Sequence, residues 1–471
     1  MSHKPDPNKN VNLIIDGKPV TVPEGTSILD AAKTVNFNIP VLCDHPDLHE
    51  RALCRICVVE CDGRGKLVAA CANDVWEGVN IVTINKRLVN IRRTIIEMIL
   101  ANHPYDCLKC ARNKNCELQS LAVKYGVVSS SFENESGKHE AVIESETIVR
   151  DMDKCVKCAR CVETCQEVQT IRAINTSNRS HEFEISTAYK QPLEDVSCVF
   201  CGQCAKVCPV SAIYGNDQSA DVWEALNKSC DAKAAGNKTI AQVSPALSSI
   251  LETAFSLPAG SVTKGKLAAL IRLLGFDKVY DASIAANITS AGICSEVKQR
   301  KNNSGYSLPV ISGCSQGVTR FIRNFYPELE SHMSIGKNPR KLFASDIKNN
   351  YAKEAGLTPA DITSVSFVPC LAQKYVIKSD KNDFALTAEE LAKMIRLAGI
   401  MIETLPEEQF DINNINFTND KEDQSSIKKE TINGFAKARK VMESIQKNEC
   451  GADWIEILSC PGSDCPCGNC S

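Results

Sequence analysis

Most of the chain's 25 cysteines lie before residue 209, in groups whose spacing is typical of metal binding. Two groups share the spacing C-x2-C-x2-C-x3-C and contain Cys155, Cys158, Cys161, Cys165, Cys198, Cys201, Cys204 and Cys208. Paired runs of this kind hold two [4Fe–4S] clusters, and the fourth cysteine of each run ligates the other cluster. We therefore predict one cluster on Cys155, Cys158, Cys161 and Cys208, and a second on Cys165, Cys198, Cys201 and Cys204. Their chemistry is one-electron transfer.

A group nearer the amino terminus has longer gaps, C-x10-C-x2-C-x13-C, and comprises Cys43, Cys54, Cys57 and Cys71. Four thiolates favour an iron–sulfur cluster or zinc. The preceding segment predicts a strand, a hairpin turn at Asp16-Gly17, a second strand, and a helix capped by Thr26 or Ser27. This order is that of a β-grasp ferredoxin, so we expect a [2Fe–2S] cluster, with a zinc site as the alternative.

The remaining amino-terminal group is H-x3-C-x2-C-x5-C, formed by His103, Cys107, Cys110 and Cys116. A helix predicted over residues 87–101 leads into it, with apolar residues on one face. One nitrogen and three sulfurs are enough for a [4Fe–4S] cluster, although zinc also accepts this ligand set. A neutral imidazole in place of a thiolate raises the reduction potential of a cluster, as in Rieske centres.

After about residue 220 the pattern becomes α/β, and cysteines are sparse. Three apolar runs that read as strands end close to Cys314, Cys370 and Cys460. Open α/β sheets bind ligands at the carboxyl ends of their strands, so we expect these three thiols to share one crevice. Cys465, Cys467 and Cys470 follow at the end of the chain.

The sequence gives little support for a nucleotide, flavin or nucleic-acid site or for a membrane span. The segment 260–266 is similar to a phosphate-binding loop but continues with Leu267 in place of a hydroxyl residue, and no G-x-G-x-x-G follows a strand. We therefore expect no flavin or nucleotide on this chain. The net charge of −3 does not favour nucleic acid, and no apolar run is long enough to cross a membrane. C-x2-C runs in a long chain favour metal over disulfides, so a reducing cytoplasmic location is expected.

The order and spacing of the amino-terminal groups resemble those of complex [FeFe]-hydrogenases and of the large iron–sulfur subunit of NADH dehydrogenases. Residues 264–281, 321–329, 386–406 and the segment from 436 look like the [FeFe]-hydrogenase catalytic domain. The resemblance implies a multidomain α+β and α/β protein with four modules. These are a β-grasp [2Fe–2S] domain at 1–82, a His/Cys3 [4Fe–4S] domain at 83–125, a two-cluster ferredoxin domain at 140–215, and a truncated hydrogenase-like domain at 220–471.

The motifs that hold the hydrogen-forming H-cluster in that family are altered here. Where the family has T-S-C-C-P-G, the chain has S-G-C-S-Q-G, with Cys314 at the proton-relaying position and Ser315 at the cluster-ligand position. Gln373 replaces the lysine that binds a cyanide ligand, and Val376 replaces the glutamate of the proton path. In the third motif Asp464 stands in the position of a ligand, with a cysteine one residue later.

The resemblance thus implies a chain without an H-cluster and without a catalytic residue of its own. We expect the fourth module to hold a plain [4Fe–4S] cluster on Cys314, Cys370, Cys460 and either Cys465 or Cys467. The alternative is a vestigial domain whose terminal cysteines bind zinc or nothing. The expected cofactors are one [2Fe–2S] cluster, three [4Fe–4S] clusters and this further one.

The function implied is electron transfer within a flavin-based, electron-bifurcating NAD(P)H/ferredoxin oxidoreductase or transhydrogenase that forms no hydrogen. The expected partners are a flavoprotein subunit that binds FMN and NADH, a small [2Fe–2S] subunit, ferredoxin, and an NADP(H)-binding subunit. One alternative is an active [FeFe]-hydrogenase with atypical ligands. A second is an iron–sulfur scaffold or regulatory protein, which would have no need of a chain of clusters.

Overall fold

The computed structural model describes residues 6, 8–62, 67–132, 142–230, 237–303, 307–336, 339–375, 383–411 and 427–462. The chain forms two compact units. The amino-terminal unit comprises residues 1–168, 172–192 and 203–214, and the carboxy-terminal unit comprises residues 169–171, 193–202 and 215–471. The sequence suggests four modules in series, and their boundaries remain predictions.

The described part of the amino-terminal unit contains short strands and five α-helices. Its strands are β1 (Asn10–Ile15), β2 (Lys18–Pro23), β3 (Val58–Cys61), β4 (Leu67–Ala69), β5 (Asn80–Val82), β6 (Ile143–Glu144), β7 (Ile148–Arg150), β8 (Asn175–Ser177), β9 (Glu184–Ser186) and β10 (Ile213–Gly215). Its helices are α1 (Ile28–Thr34), α2 (Lys86–Ala101), α3 (Glu117–Tyr125), α4 (Arg160–Glu163) and α5 (Gln203–Val207).

The first five strands form one sheet in the order β2-β1-β5-β3-β4. β1 and β2 are an antiparallel hairpin whose turn is Asp16-Gly17, where both residues have positive φ angles. Helix α1 begins after Ser27, whose side chain accepts a hydrogen bond from the Asp30 amide at 3.0 Å. Alternating residues of β1 pack on α1 in a common core, as the sequence predicts.

Helices α2 and α3 pack in a second core of the same unit, with Ile96, Leu118 and Leu121 buried between them. Residues after the last ferredoxin-type cysteine, including Val210 and Ala212, belong to the same core. The predicted helix over residues 87–101 is confirmed, since α2 spans Lys86–Ala101. This packing places the turns that carry Cys107, Cys110 and Cys116 between two helices.

Among its described residues, the carboxy-terminal unit has two sheets of parallel strands. One has the order β12-β11-β14-β15 and the other β13-β17-β16. The strands are β11 (Lys238–Val243), β12 (Lys278–Asp281), β13 (Val310–Gly313), β14 (Ile362–Val368), β15 (Asp383–Thr387), β16 (Lys429–Asn433) and β17 (Trp454–Leu458).

Helices accompany these strands, as parallel strands need crossover connections. Those described are α6 (Ser219–Cys230), α7 (Leu247–Phe255), α8 (Lys264–Leu273), α9 (Ala282–Asn302), α10 (Gln316–Phe325), α11 (Pro339–Leu342), α12 (Lys348–Ala355), α13 (Leu371–Lys374), α14 (Ala388–Ala398) and α15 (Phe435–Gln446). β11 and β14 are almost entirely buried, which is typical of central parallel strands covered on both faces. The α/β prediction for this half of the chain is therefore confirmed.

Two details differ from or refine the sequence predictions. The three strands that precede Cys314, Cys370 and Cys460 do not share one sheet, because β13 and β17 pair with each other while β14 belongs to the other sheet. The segment 260–266 enters α8, with Thr263 as its cap, so it is a loop leading to a helix. No helix in the described part of the chain combines the length and the apolar character that a membrane crossing requires.

Candidate iron–sulfur sites

The four cysteines predicted to hold the [2Fe–2S] cluster lie close together in the amino-terminal unit. The Sγ atoms of Cys57 and Cys71 are 3.4 Å apart, and the Cys54 amide donates to the Cys43 sulfur at 3.5 Å. Hydrogen bonds from the thiols of Cys54 and Cys71 hold the pKa of Cys43 well below its usual range. Cys61 lies on β3, buried among the apolar residues of the sheet, in accordance with a packing role.

His103 is suited to be a ligand by an observation that the sequence could not provide. Its Nδ1 atom is buried and has no hydrogen-bond partner among the described residues, while the Lys154 backbone hydrogen-bonds to the ring. Burial lowers the pKa of His103, which favours the neutral form of the imidazole. A neutral ring held by a backbone group through its other nitrogen is the usual arrangement of a metal-ligating histidine.

The three cysteines of this group lie on consecutive turns after α2. The Cys110 amide donates to the Asp106 and Cys107 carbonyls at 3.1 and 3.2 Å, and Cys116 precedes α3 directly. Cys107 is exposed, whereas Cys110 and Cys116 are half-buried. The ligand set therefore reaches the surface at Cys107.

One cavity of the amino-terminal unit contains cysteines from both ferredoxin-type runs. Cys155, Cys158 and Cys161 line it together with Cys208, and the other lining residues are Met152, Val156, Ala159, Ile185, Pro209, Val210, Ala212 and Ile213. Burial raises the pKa of Cys155 to about 11 and that of Cys158 to about 12. An apolar cavity with four thiols fits a [4Fe–4S] cluster, whose iron displaces the thiol protons on binding.

The other predicted ferredoxin set is divided between the two compact units. Cys165 and Cys204 belong to the amino-terminal unit, and Cys198 and Cys201 belong to the carboxy-terminal unit. The Ala173 amide donates to the Cys165 sulfur at 3.3 Å, and the Phe200 amide donates to the Cys198 sulfur at 3.4 Å. Amide donors of this kind stabilise a thiolate, and N–H···S hydrogen bonds tune cluster potentials. The common cluster on these four residues remains a prediction.

Arg160 connects three of the cysteine loops, and sequence reasoning missed it. Its guanidinium donates to both carboxylate oxygens of Glu117, at 2.6 and 2.9 Å, and to the Asp44 carbonyl at 2.7 Å. Arg160 itself lies between Cys158 and Cys161, whereas Glu117 follows Cys116 and Asp44 follows Cys43. An arginine inside a C-x2-C-x2-C run is the only local signal, and it does not identify the partners.

In the carboxy-terminal unit Cys314 continues the pairing of β13 with β17. Its amide donates to the Ile457 carbonyl at 3.1 Å, and its sulfur accepts a hydrogen bond from the Ser459 amide at 3.3 Å. Cys460 follows Ser459, so the first and third altered motifs meet at the end of this sheet. The amide donor to the Cys314 sulfur suits a cluster ligand.

A pair of buried hydroxyls lies beside Cys314. Ser315 Oγ and Ser459 Oγ are 2.9 Å apart, and Ser459 is 0% exposed. Gln169 is also buried; its Nε2 donates to the Ser459 carbonyl at 2.8 Å and its Oε1 accepts from the Phe435 amide at 3.2 Å. The hydroxyls of Ser315 and Ser459 and the side-chain amide of Gln169 are thus hydrogen-bonded within the protein. Neither Gln169 nor Ser459 was singled out from the sequence, because nothing local distinguishes them.

The turn after β14 carries Cys370 and is held by a buried ion pair. Lys374 Nζ lies 2.6 Å from Glu390 Oε1, and Glu390 also accepts hydrogen bonds from the Gln218 and Thr387 amides. Tyr375 stacks on Phe200 with ring centroids 4.2 Å apart. These contacts orient the turn at Cys370.

Four residues for which the sequence made predictions lie outside the described part of the chain, namely Val376, Asp464, Cys465 and Cys467. Among the described residues, no group of three or more His, Cys, Asp or Glu side chains has the geometry to hold a single metal ion. The ligands of a cluster bind different iron atoms, so this finding leaves the predicted cluster sets as they are.

Four domain families match successive parts of the chain. Residues 8–86 match the 2Fe-2S iron-sulfur cluster binding domain, and residues 92–131 match the NADH-ubiquinone oxidoreductase-G iron-sulfur binding region. Residues 145–214 match the ferredoxin-like domain of NADH-quinone oxidoreductase subunit 3, and residues 237–423 match the C-terminal domain of the iron only hydrogenase large subunit. These matches indicate both [2Fe–2S] and [4Fe–4S] binding.

Three curated relatives extend these matches. The chain is 35% identical over 419 residues to the NADP-reducing hydrogenase subunit HndD of Solidesulfovibrio fructosivorans, covering 85% of this chain and 71% of that protein. It is 31% identical over 413 residues to iron hydrogenase 1 of Clostridium pasteurianum, covering 85% and 70%. The NADPH-Fe(3+) oxidoreductase subunit alpha of Geobacter sulfurreducens is 33% identical over 203 residues, which are 43% of this chain and 24% of that protein.

The relationship to HndD spans most of both chains and includes the ferredoxin-like and the α/β parts. It agrees with the resemblance that the cysteine spacing indicates. The chain therefore belongs to the family of iron-only hydrogenase large subunits whose amino-terminal iron–sulfur domains are shared with NADH dehydrogenases.

Proposed function

We propose that this chain is the iron–sulfur electron-transfer subunit of a multi-subunit, flavin-based NAD(P)H/ferredoxin oxidoreductase or transhydrogenase. The cavity lined by Cys155, Cys158, Cys161 and Cys208 is the observation that carries the proposal. It brings cysteines of two separate runs around one apolar space, which is what a two-cluster ferredoxin needs. HndD and the NADPH-Fe(3+) oxidoreductase are named as subunits of oxidoreductases, which supports the same role.

In this role the protein's own residues hold the clusters and exclude water, and the clusters supply one-electron transfer. The buried thiols around the cavity, the imidazole of His103 and the loops joined by Arg160 keep the ligands in place. A hydride carries two electrons, so its division into single electrons requires a flavin, which we assign to a partner subunit. The specific partners proposed are an FMN- and NADH-binding flavoprotein, a small [2Fe–2S] subunit, ferredoxin and an NADP(H)-binding subunit.

We also propose that the carboxy-terminal unit holds no H-cluster. Ser315 stands where the family has a ligand cysteine, and its hydroxyl is hydrogen-bonded to Ser459 in a buried position. Gln373 stands where the family has the lysine that binds a cyanide ligand, so a second contact to the H-cluster is also missing. A plain [4Fe–4S] cluster on Cys314, Cys370, Cys460 and Cys465 or Cys467 would extend the electron path into this unit.

The experiment that tests the function begins with the native complex, purified without oxygen. We expect co-purifying flavoprotein, NAD(P)H-dependent ferredoxin reduction, and no hydrogen from reduced viologen after H-cluster maturation. Hydrogen formation at hydrogenase-like rates, or a complex without flavin, would overturn the proposal.

Single-cysteine variants test the exchange of ligands between the two runs. Cys158→Ser and Cys208→Ser should remove the same cluster signal in electron paramagnetic resonance, while Cys204→Ser should remove a different one. Cys61→Ala is the matched control, since Cys61 is a buried cysteine of β3 that belongs to none of the predicted ligand sets, and it should leave every signal in place. If Cys208→Ser and Cys204→Ser lose the same signal, the exchange of ligands is wrong.

A further inference from the structure

The turns that carry the His/Cys3 group form an exposed surface with an unusual composition, which we call the turn face. It consists of residues 105–115 and 128–132. Three large apolar side chains project from it: Leu108 is 92% exposed, Val128 is 90% exposed, and Tyr105 is more than half exposed. Exposed apolar groups that lie together on a surface mark interaction sites more often than isolated ones do.

Hydrogen bonds join the two segments of the turn face. The Ser130 amide donates to the Tyr105 hydroxyl at 2.9 Å, which ties the segment containing Val128 to the turns. The Lys109 and Cys110 amides both donate to the Asp106 carbonyl, at 2.9 and 3.1 Å. The turn closed in this way leaves Leu108 at its exposed tip. The hydrogen bond from Ser130 to Tyr105 therefore connects the two segments of the turn face.

The charge of the turn face is positive. Lys109 and Lys114 are exposed, and within the described residues neither ammonium group has an acidic partner. Among the described residues, the nearby carboxylates are already engaged: Asp106 with Lys154 at 3.3 Å, Glu117 with Arg160 at 2.6 Å, and Glu97 with the Ser131 hydroxyl at 3.0 Å. Two cations beside apolar groups are complementary to an acidic partner with an apolar centre.

The turn face also contains two of the predicted cluster ligands, Cys107 and Cys110. Leu108 and Lys109 separate Cys107 from Cys110, and Cys107 is exposed. Electron transfer weakens steeply with distance, so a carrier gains most by docking where a cluster comes closest to the surface. The small number of apolar groups favours a short-lived encounter over a permanent subunit interface, which is usually larger and more apolar.

We propose that the turn face docks an acidic one-electron carrier protein of the ferredoxin type. The proposal rests on the function given above and specifies where that partner exchanges electrons. Charge attraction brings the carrier to Lys109 and Lys114, and Leu108 packs against its apolar centre. The docked carrier then exchanges single electrons with the cluster held by His103 and the three cysteines.

The test uses the native complex and an acidic ferredoxin, with binding and turnover measured separately. Lys109→Glu/Lys114→Glu should weaken ferredoxin binding about tenfold at low salt and raise the KM for ferredoxin similarly, with kcat and the NAD(P)H–viologen activity unchanged. Leu108→Ser should weaken binding with less dependence on salt. Lys86→Glu is the matched control, because Lys86 is an exposed residue at the other end of α2, about 22 Å along the helix.

The outcomes are distinguishable. If the wild-type complex does not reduce ferredoxin, the proposed function fails. If it does, and the Lys109/Lys114 variant binds ferredoxin as the Lys86 variant does, the docking proposal fails alone. Acetylation of Lys109 and Lys114 gives a readout independent of activity: ferredoxin should protect both. Protection before ferredoxin is added would mean that a permanent subunit covers the turn face, and would also overturn the docking proposal.

Discussion

Replacing Arg160 with methionine should destabilise the amino-terminal unit and release iron from more than one site. The Arg160 side chain is 4% exposed and makes charge-assisted hydrogen bonds to Glu117 and to the Asp44 carbonyl. Methionine is flexible, apolar and of similar length, so it retains much of the packing while these hydrogen bonds are lost. The loops that carry Cys43, Cys116 and Cys161 would then lose their common link.

The expected loss of folding free energy follows from the groups to which Arg160 donates hydrogen bonds. Leaving the half-buried Asp44 carbonyl without this donor costs about 1–3 kcal/mol. The Glu117 side chain is 43% exposed, so water replaces part of its interaction, and its loss is nearer the value of about 0.5–1 kcal/mol typical of surface pairs. We therefore expect the free energy of unfolding to fall by about 1.5–4 kcal/mol. At about 2–4 °C per kcal/mol, Tm should fall by roughly 3–16 °C.

The assay is anaerobic calorimetry of the purified chain, with iron content and cluster signals measured on the same samples. Arg160→Lys keeps the positive charge without the two-pronged geometry and should give an intermediate loss. Glu117→Gln should cost about 1 kcal/mol or less, because an exposed pair contributes little. An Arg160→Met protein with wild-type Tm and full iron content would refute the reasoning that this residue ties the loops together.

Three other predictions address the remaining sites. His103→Cys should lower the reduction potential of its cluster, measured by a redox titration of the paramagnetic signal, because a thiolate adds negative charge; an unchanged potential would exclude His103 as a ligand. Cys370→Ser should reduce iron content by about four atoms per chain, and no loss would argue against the carboxy-terminal cluster. The pKa of Asp411 is lowered: burial opposes its charge, but the Val279 amide and two cationic side chains outweigh burial. Asp411 therefore stabilises the fold above its unfolded pKa of about 4, and this contribution is lost as the pH falls through the lower folded value. Asp411→Asn should lower Tm at pH 7 and reduce its decline below pH 4; an unchanged profile would contradict this.

The local features of this protein were predictable from its residues alone. The strand pairing at Asp16-Gly17, the cap at Ser27, the length of α2 and the cysteine spacings all depend on residues that are close in sequence. Helix caps, tight turns and C-x2-C loops form from backbone geometry within a few residues, so the sequence specifies them directly. The altered motifs around Ser315 and Gln373 were visible for the same reason.

The long-range contacts of the sites were decided only by the tertiary structure. Arg160 meets Asp44 across 116 positions, Ser315 meets Ser459 across 144, and Gln169 meets Ser459 across 290. The assignment of β13 and β14 to different sheets likewise depends on which strands pair. Such pairings follow from packing between distant segments, and local patterns of polarity carry no information about the partner.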